Sequence, residues 1–303
     1  MKKLDYKELE EHIVRWLKDY VKRARVKGFV IGVSGGLDSA VVSTLAAKTG
    51  LPLLVLEMPI KQKSNEVDRA QKHINWLEEN FKNVESREID SEFYLPNEEM
   101  DEPWPTINIF EAFMEKIKSG LMLDLSLTEA VEGTDKINLA EANARSRMRM
   151  IILYYAASLN NYLVLGTGNK VEDFGVGFYT KYGDGGVDIS PIADLMKSEV
   201  RELGKSMGII EEIITAAPTD GLWNDGRTDE DQLGATYDEL EWAMNYLESC
   251  DYDGPINTEA FILPNISKLT PRQIQVVEIY IKKHSANKHK MDPIPVFNTQ
   301  FLR

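Results

Sequence analysis

Two kinds of hydrophobic pattern alternate along the first 60 residues and predict the secondary structure. Near the N-terminus the spacing predicts an amphipathic helix, whose apolar residues are Leu9, Ile13, Trp16, Leu17, Tyr20 and Val21. Continuous apolar runs follow at residues 29–33 and 51–58, and such runs between turn signals predict buried strands. Residues 39–48 lie between the two runs and predict a helix that Gly50 ends.

The alternation continues through the first half of the chain. It predicts a helix over about 65–81, a short strand in "VESREID", a long helix that includes 139–159 and a fourth strand in "YLVLGTG" at 162–168. Strands that alternate with helices form a parallel sheet covered by helices on both faces. We therefore expect an α/β fold with a doubly wound parallel sheet and additional helices. Ligands in such folds bind at the carboxyl ends of the strands.

The domain organisation predicted from the pattern is simple, because the chain shows no repeat, no low-complexity segment and no linker. We expect one domain over 1–303, made of an N-terminal helix at 1–26, an α/β core at 28–220 and a C-terminal helical part at 221–303. Three longer segments interrupt the pattern, and long loops in a compact domain are often substrate lids. They cover residues 91–137, 175–188 and 216–233.

Composition and charge narrow the class of protein. Hydrophobic residues make up 43% of the chain, enough for a sizeable core, and the net charge of −14 argues against a nucleic-acid-binding surface. Cys250 is the single cysteine, so no internal disulfide forms, which suits a reducing compartment. The chain begins without a signal-peptide pattern, and its longest apolar run is too short to span a bilayer. We expect a cytoplasmic protein that binds neither nucleic acid nor membrane.

The string "SGGLDS" at residues 34–39 joins the first strand to the next helix and predicts a phosphate site. The first N–H groups of a helix lack internal partners, and the helix dipole adds positive charge there. Gly35 and Gly36 allow close approach of an anion, and Ser34 and Ser39 offer hydroxyl donors, so phosphate binds without a lysine. Asp38 would repel bare phosphate, which predicts a bridging Mg²⁺. The alternative, a tight turn with a helix-start carboxylate, fits the strand–turn–helix context less well.

The same string resembles the pyrophosphatase loop of the ATP pyrophosphatase superfamily, whose members cleave ATP between the α- and β-phosphates and transfer AMP. Later blocks occur in a fixed order: "NARSRMRM", "LGTGNKVED", "GFYTKYGDGGVDISPIADLMKSEVREL", "APTDGLW", "DEDQLGATYDELEWAM" and "HK" at 289–290. Together they resemble the ammonia-dependent NAD synthetases from about residue 32 to 290, with "TKYGDGGVD" the most specific block. The resemblance implies a sheet of the adenine nucleotide alpha hydrolase-like type.

The resemblance implies a ligase that adenylates the nicotinate carboxylate of nicotinic acid adenine dinucleotide with ATP, then amidates it with ammonia to give NAD and AMP. It also implies Mg²⁺, and a homodimer whose contact surface includes helices around 106–119 and 138–159. Free ammonia or a separate amidase subunit is the expected nitrogen source, because a fused amidase domain does not fit before the loop.

Two alternatives remain open at this point. One is another adenylating enzyme of the superfamily, a tRNA-modifying or GMP-forming member; the acidic balance counts against tRNA and the "TKYGDGGVD" block against GMP. The other is a catalytically inactive nucleotide sensor, against which intact Asp38, Glu172, Lys181 and Lys197 count.

The resemblance assigns roles to individual residues. The expected ATP contacts are Gly32, Val33, Ser34, Gly35, Gly36, Leu37, Asp38, Ser39, Thr167, Lys197 and Thr219. The expected dinucleotide contacts are Arg145, Lys181, Asp188, His289 and Lys290. Asp38 and Glu172 are the expected Mg²⁺ ligands, with Asp173 as the alternative to Glu172. Catalysis is expected from Asp38, Lys181, Lys197 and Asp173, with Asp188 as a second candidate to accept a proton.

Two further expectations concern cationic side chains. Arg147 and Arg149 are expected on a solvated helix face or in a subunit contact. Relatives often have an arginine–proline pair after the second strand, where this chain has Glu57-Met58-Pro59. Lys61 or Lys63 is the expected substitute for that arginine.

Overall fold

Helices and strands alternate along the chain much as the hydrophobic pattern predicts. The computed structural model describes residues 4–60, 64–89, 92–93, 107–108, 135–219, 228–250 and 266–299. Its helices are α1 (Tyr6–Ala24), α2 (Leu37–Lys48), α3 (Ser64–Asn80), α4 (Asp135–Asn160), α5 (Lys197–Ser206), α6 (Glu211–Ile214), α7 (Asp229–Leu233), α8 (Tyr237–Glu248) and α9 (Pro271–Met291). Its strands are β1 (Gly28–Gly32), β2 (Leu53–Glu57), β3 (Val84–Glu88), β4 (Glu92–Phe93), β5 (Ile107–Asn108) and β6 (Tyr162–Val164), and a short π-helix covers Val171–Val176.

Four of the strands form one parallel sheet in the order β3-β2-β1-β6. Phe29 of β1 pairs with Leu53 on one side and with Leu163 on the other. The chain leaves β1 towards β2 and β3, then returns to the opposite side of β1 for β6. This reversal is a topological switch point, where open α/β sheets bind their ligands beyond the carboxyl ends of the strands.

Helices cover both faces of the sheet, which confirms the doubly wound architecture. On one face α1, α2, α3 and α5 share a core with β1 and β2, and its fully buried members include Leu17, Phe29 and Leu45. On the other face α4 packs against Val30, Leu56 and Val164. Each fully buried aliphatic or aromatic side chain contributes about 1.5–3 kcal/mol of transfer free energy.

A second cluster joins the C-terminal helices to the π-helix. Its buried members include Val171 and Val176 of the π-helix, Leu240 of α8 and Val277 of α9. The C-terminal helices therefore support the segment that carries Glu172 and Asp173. The boundaries of the predicted parts at 1–26, 28–220 and 221–303 stay a prediction.

Two predicted elements differ from the structure. The strand predicted at 162–168 ends at Val164, because the glycines after it form a loop. The helix predicted over 106–119 is wrong at Ile107–Asn108, which pairs as an antiparallel strand with Glu92–Phe93. A β-branched residue in alternation with polar ones suits a strand there. The rest of that predicted helix lies outside the described residues.

No helix in the described part of the chain has both the length and the apolar content needed to cross a bilayer. Cys250 lies just past the end of α8 and is half-buried.

His73 is fully buried between α3 and α2, and this position makes the fold sensitive to acid. Its Nε2 lies 2.9 Å from the Ser43 hydroxyl oxygen, and burial lowers its pKa to about 4. A histidine whose pKa is depressed by folding stabilises the protein above pH 6.5, and this contribution is lost as the pH falls towards 4. We expect His73 to account for a loss of about 2 kcal/mol in the free energy of unfolding between pH 7 and pH 5.

Urea unfolding at the two pH values measures this loss. His73→Gln should remove that part of the pH dependence, whereas His12→Gln, at an exposed position on α1, should leave it in place. An equal pH dependence in wild type and His73→Gln would contradict the assignment.

Candidate active site

The turn at residues 34–39, here called the phosphate turn, is shaped by its own hydroxyl groups. The hydroxyl oxygens of Ser34 and Ser39 lie 3.2 Å apart, and the backbone N–H of Gly36 donates to Ser34 Oγ at 3.3 Å. Gly36 caps α2 without a side-chain hydrogen bond, so the first N–H groups of the helix stay open to an anion. Gly35 has a φ of +77°, and a Cβ there would lie 2.3 Å from the Glu66 carbonyl oxygen. Only glycine lets the turn close against α3.

A buried ion-pair cluster lies beside the phosphate turn. Lys197 is the first residue of α5 and is only 5% exposed. Its Nζ lies 2.6 Å from Asp38 Oδ2 and 3.0 Å from Glu172 Oε1. Tyr237 of α8 donates its hydroxyl to Glu172 Oε1 at 2.6 Å, and its ring centroid lies 4.7 Å from Lys197 Nζ. Four elements that are distant in sequence thus meet at one point.

The electrostatics of this cluster favour a cation. Burial raises the pKa of Asp38 to about 6; Lys197 opposes this rise and Glu172 adds to it. Burial acts against the charged form of Lys197, but its carboxylate neighbours outweigh that effect and raise its pKa. Asp38 Oδ1 is buried and has no hydrogen-bond partner within the described residues. Two carboxylates against one lysine leave net negative charge, and oxygen ligands of this kind suit Mg²⁺.

Asp173 lies next to this cluster with a strongly perturbed carboxyl group. Burial and the negative charges of Glu172, Asp184 and Asp38 raise its pKa to about 7. A carboxyl group with this pKa exchanges a proton near neutral pH, as a general base must.

A cleft of about 270 Å³ opens over the phosphate turn, and most of the residues predicted to contact ATP line it. Those that line it are Gly32, Val33, Ser34, Gly36, Leu37, Asp38, Ser39, Thr167, Lys197 and Thr219. Glu172 and Asp173 line it as well. Gly35 does not, because it packs against α3.

A second pocket of about 310 Å³ adjoins the cleft, and two of the residues predicted to contact the dinucleotide line it. Lys181 and Lys290 line it, and it shares Asp173 and Tyr179 with the main cleft. Lys181 Nζ donates to the His289 carbonyl oxygen at 2.8 Å, and Lys290 Nζ donates to the carbonyl oxygen of Tyr179 at 2.7 Å. The end of α9 is therefore fastened to the loop that follows the π-helix.

The "TKYGDGGVD" block has a structural explanation that sequence reasoning missed. Asp184 Oδ1 accepts hydrogen bonds from Ser146 Oγ at 2.7 Å and from the Thr180 backbone N–H at 3.0 Å. The Thr180 hydroxyl donates to Asn143 Oδ1 at 2.6 Å. A Cβ at Gly183 would lie 2.2 Å from Ser146 Oγ. The block thus folds a loop back onto α4, and Asp184 holds it there. In the sequence, the position of Asp184 between glycines was the one feature that could have indicated this structural role.

Arg145 and Asp188 line neither pocket. Arg145 is buried within α4, only 6% exposed. Asp188 accepts hydrogen bonds from the Val164 backbone N–H at 2.8 Å and from the Tyr154 hydroxyl at 3.1 Å. It therefore ties its loop to the end of β6. Their roles in dinucleotide binding stay a prediction.

Arg149 lines the main cleft, so the expectation of a solvated helix face is wrong for it, and the alternative of a subunit contact stays a prediction. Its guanidinium donates to the carbonyl oxygens of Met58 at 3.3 Å and Ile60 at 3.0 Å. Arg147 is exposed and donates to the Lys181 carbonyl oxygen. Lys61 and Lys63 lie outside the described residues.

Comparison with known sequences decides the family, because residues 9–291 match the sequence model of NAD synthase. The chain belongs to the NAD synthase family. Among curated members it is similar to the NH(3)-dependent NAD(+) synthetase of Mesoplasma florum, 37% identical over 78% of this chain and 84% of that one. It is 34% identical to the enzyme of the same name from Methanosarcina mazei, over 96% of this chain and 99% of that one.

A similar solved structure supports the fold. The NMN synthetase from Francisella tularensis superposes with a TM-score of 0.71 at 30% identity, covering 98% of this chain and 100% of that one. The resemblance to the NAD synthase family and the α/β fold are therefore confirmed.

Proposed function

We propose that this protein is an ammonia-dependent NAD synthetase, a ligase that uses ATP to amidate nicotinic acid adenine dinucleotide. The observation that carries the proposal is the meeting of Lys197, Asp38 and Glu172 beside an open phosphate turn. It occurs in a chain that aligns over nearly its whole length with a curated enzyme of that name. The match to the NAD synthase model and the similarity to named enzymes favour catalysis over a nucleotide sensor.

ATP binds, on this proposal, with its phosphates at the phosphate turn. The open N–H groups of α2 and the hydroxyls of Ser34 and Ser39 supply neutral donors. Asp38 and Glu172 are the residues that would hold Mg²⁺, and the buried Asp38 Oδ1 without a hydrogen bond supports this choice. When bound, the ion supplies positive charge to the phosphate oxygens.

The first chemical step activates the carboxylate. A nicotinate carboxylate oxygen attacks the α-phosphorus of ATP, the bond between the α-phosphorus and the bridging oxygen breaks, and pyrophosphate leaves. Lys197, which is itself buried, supplies fixed positive charge where negative charge accumulates.

The second step forms the amide. Ammonia attacks the acyl carbon of the adenylate, the carbon–oxygen bond to AMP breaks, and the nitrogen must lose a proton. We assign that proton to Asp173, which lines the cleft and has a pKa of about 7. Asp188 is less suited, because one of its oxygens accepts a hydrogen bond from Tyr154 of α4 and the other from the Val164 backbone of β6.

The dinucleotide occupies the second pocket on this proposal. Lys181 and Lys290 supply positive charge for its phosphates, and Asp173 lies in the wall shared with the ATP cleft. Acceptor and ATP therefore approach the same carboxyl group from adjoining cavities.

A homodimer is proposed through α4. Ile151, Tyr155 and Leu159 recur every four residues and are 56%, 68% and 69% exposed, which forms an apolar stripe. A second copy would cover it. Sedimentation of the purified protein tests this: a monomer at all micromolar concentrations contradicts it.

A cytoplasmic location is proposed because the single thiol needs no oxidising compartment.

The decisive experiment supplies the purified protein with ATP, Mg²⁺, ammonium and nicotinic acid adenine dinucleotide. Equal amounts of NAD, AMP and pyrophosphate support the whole proposal. AMP and pyrophosphate without NAD would keep the adenylation and reject the acceptor. Folded protein that leaves ATP intact would reject the enzyme.

A second candidate substrate is the mononucleotide, nicotinic acid mononucleotide. It is favoured by the similarity to the Francisella tularensis protein named NMN synthetase, at 30% identity over 98% of this chain. The reacting carboxylate is identical in both acceptors, so the chemistry above is unchanged. The ratio of kcat/KM for the two acceptors, measured in one assay, separates them.

A further inference from the structure

Charged side chains in the main cleft are unbalanced towards the negative. Among the described residues that line it are six carboxylates and four cations. The carboxylates belong to Asp38, Glu66, Glu172, Asp173, Asp184 and Asp229, and the cations to Arg69, Arg149, Lys197 and Arg201. A polyanion that binds or leaves here needs cationic side chains that are not already neutralised.

Two of the four cations are committed to other groups. Lys197 forms ion pairs with Asp38 and Glu172. The Arg149 guanidinium is held by the carbonyl oxygens of Met58 and Ile60. That leaves Arg69 and Arg201.

Arg69 is attached to the phosphate turn itself. It lies on α3 and is half-buried, and its Nε donates to the Gly35 carbonyl oxygen at 3.2 Å. Gly35 in turn packs against the backbone of Glu66 and Ala70 on the same helix. The guanidinium is therefore fixed at the turn, and it has no ion-pair partner in the described ranges of the chain.

Arg201 lies one helical turn after Lys197 on α5, so both side chains project from the same face of the helix. It is half-buried and lines the cleft. Within the described residues it makes no hydrogen bond and no ion pair. A guanidinium has five N–H donors, and those of Arg201 are available to a ligand in the cleft.

We propose that Arg69 and Arg201 form a binding site for pyrophosphate, first as the β- and γ-phosphates of ATP and then as the leaving group. This rests on the proposed function. The planar guanidinium fork matches two phosphate oxygens at once, and charge-assisted bonds of this kind are roughly twice as strong as neutral ones. When the bond between the α-phosphorus and the bridging oxygen breaks, its electron pair stays on pyrophosphate, where the two arginines stabilise it.

Calorimetric titration with magnesium pyrophosphate and, separately, with AMP tests the site. We expect Arg69→Gln and Arg201→Gln each to weaken pyrophosphate binding about 10- to 100-fold, because each removes charge-assisted hydrogen bonds. AMP affinity should change less than about three-fold, since AMP lacks the β- and γ-phosphates. Arg201→Lys keeps the charge but not the fork, and should lie between Arg201→Gln and wild type. Arg87→Gln is the control, because Arg87 is an exposed arginine that pairs with Glu85 on β3.

Pyrophosphate affinity that stays at the wild-type value in both glutamine variants overturns the proposal. So does an equal loss of AMP and pyrophosphate affinity, which would mean that the arginines only support the fold. If Arg69→Gln does not fold, the two Arg201 variants decide. Turnover of the wild-type protein, measured in parallel, tests the proposed function separately from the pyrophosphate site. If the arginines are needed for pyrophosphate binding but no amide forms, the proposed function is rejected and the pyrophosphate site is retained.

Discussion

Replacing Asp38 with asparagine is expected to lower kcat/KM by about 1,000-fold or more while leaving the fold intact. The substitution removes one negative charge from the proposed Mg²⁺ site and one partner of Lys197. Because adenylation comes first, AMP, pyrophosphate and NAD should all disappear together. Steady-state assays of all three products measure the effect.

The stability of the same variant separates lost chemistry from lost structure. Folding raises the pKa of Asp38 to about 6, so its ionised form destabilises the protein at pH 7, and this cost vanishes below pH 3.8. A neutral asparagine lacks that cost, and Lys197 keeps Glu172 at 3.0 Å. The free energy of unfolding at pH 7 should therefore equal or exceed that of wild type. Asp194→Asn, at a fully exposed carboxylate, should change neither quantity. Asp38→Asn protein that turns over normally would remove Asp38 from the mechanism.

Replacing Lys197 with methionine is expected to have the opposite effect on stability. It leaves Asp38 and Glu172 buried without their cation, which costs about 3–5 kcal/mol of unfolding free energy at pH 7.5. Part of this loss should be recovered at pH 5, because the unpaired carboxylates then take up protons. Loss of the fixed charge should also lower kcat about 100- to 1,000-fold.

Lys205→Met is the matched control for this variant. Lys205 lies on the same helix, is exposed and pairs with Glu202 at 2.6 Å. Its substitution should alter stability by less than about 1 kcal/mol, as is usual for exposed ion pairs. A Lys197→Met protein as stable as Lys205→Met at pH 7.5 would show that the buried pair does not act as described.

Elements with strong local patterns were predictable from the sequence. The alternation of apolar runs and helical spacing depends on neighbours a few residues apart, so α1, β1 and α2 lie within a few residues of their predicted bounds. The phosphate turn was predictable for the same reason, since strand, glycines and helix start are contiguous. In contrast, the role of Asp184 depends on Ser146, which lies 38 residues away on α4.

The arginines show the limit of reading one helix at a time. Arg145, Arg147 and Arg149 occupy alternate positions along α4. The sequence alone does not tell which side of that helix faces the cleft. Only its packing against β2 and the loop after it places Arg149 over the cleft and buries Arg145. Arg69 and Arg201 were missed because each belongs to an ordinary charged helix whose cleft-facing side is set by tertiary contacts.

The wide sequence separation of the ion-pair cluster has a consequence for synthesis of the protein. Asp38 and Lys197 are 159 residues apart, and the hydroxyl that Glu172 accepts belongs to Tyr237. Contacts of such long range form late in folding. We therefore expect a chain still attached to the ribosome to possess the phosphate turn well before it can cleave ATP. Catalytic competence arrives in one step with the completed fold, so unfinished chains consume no ATP.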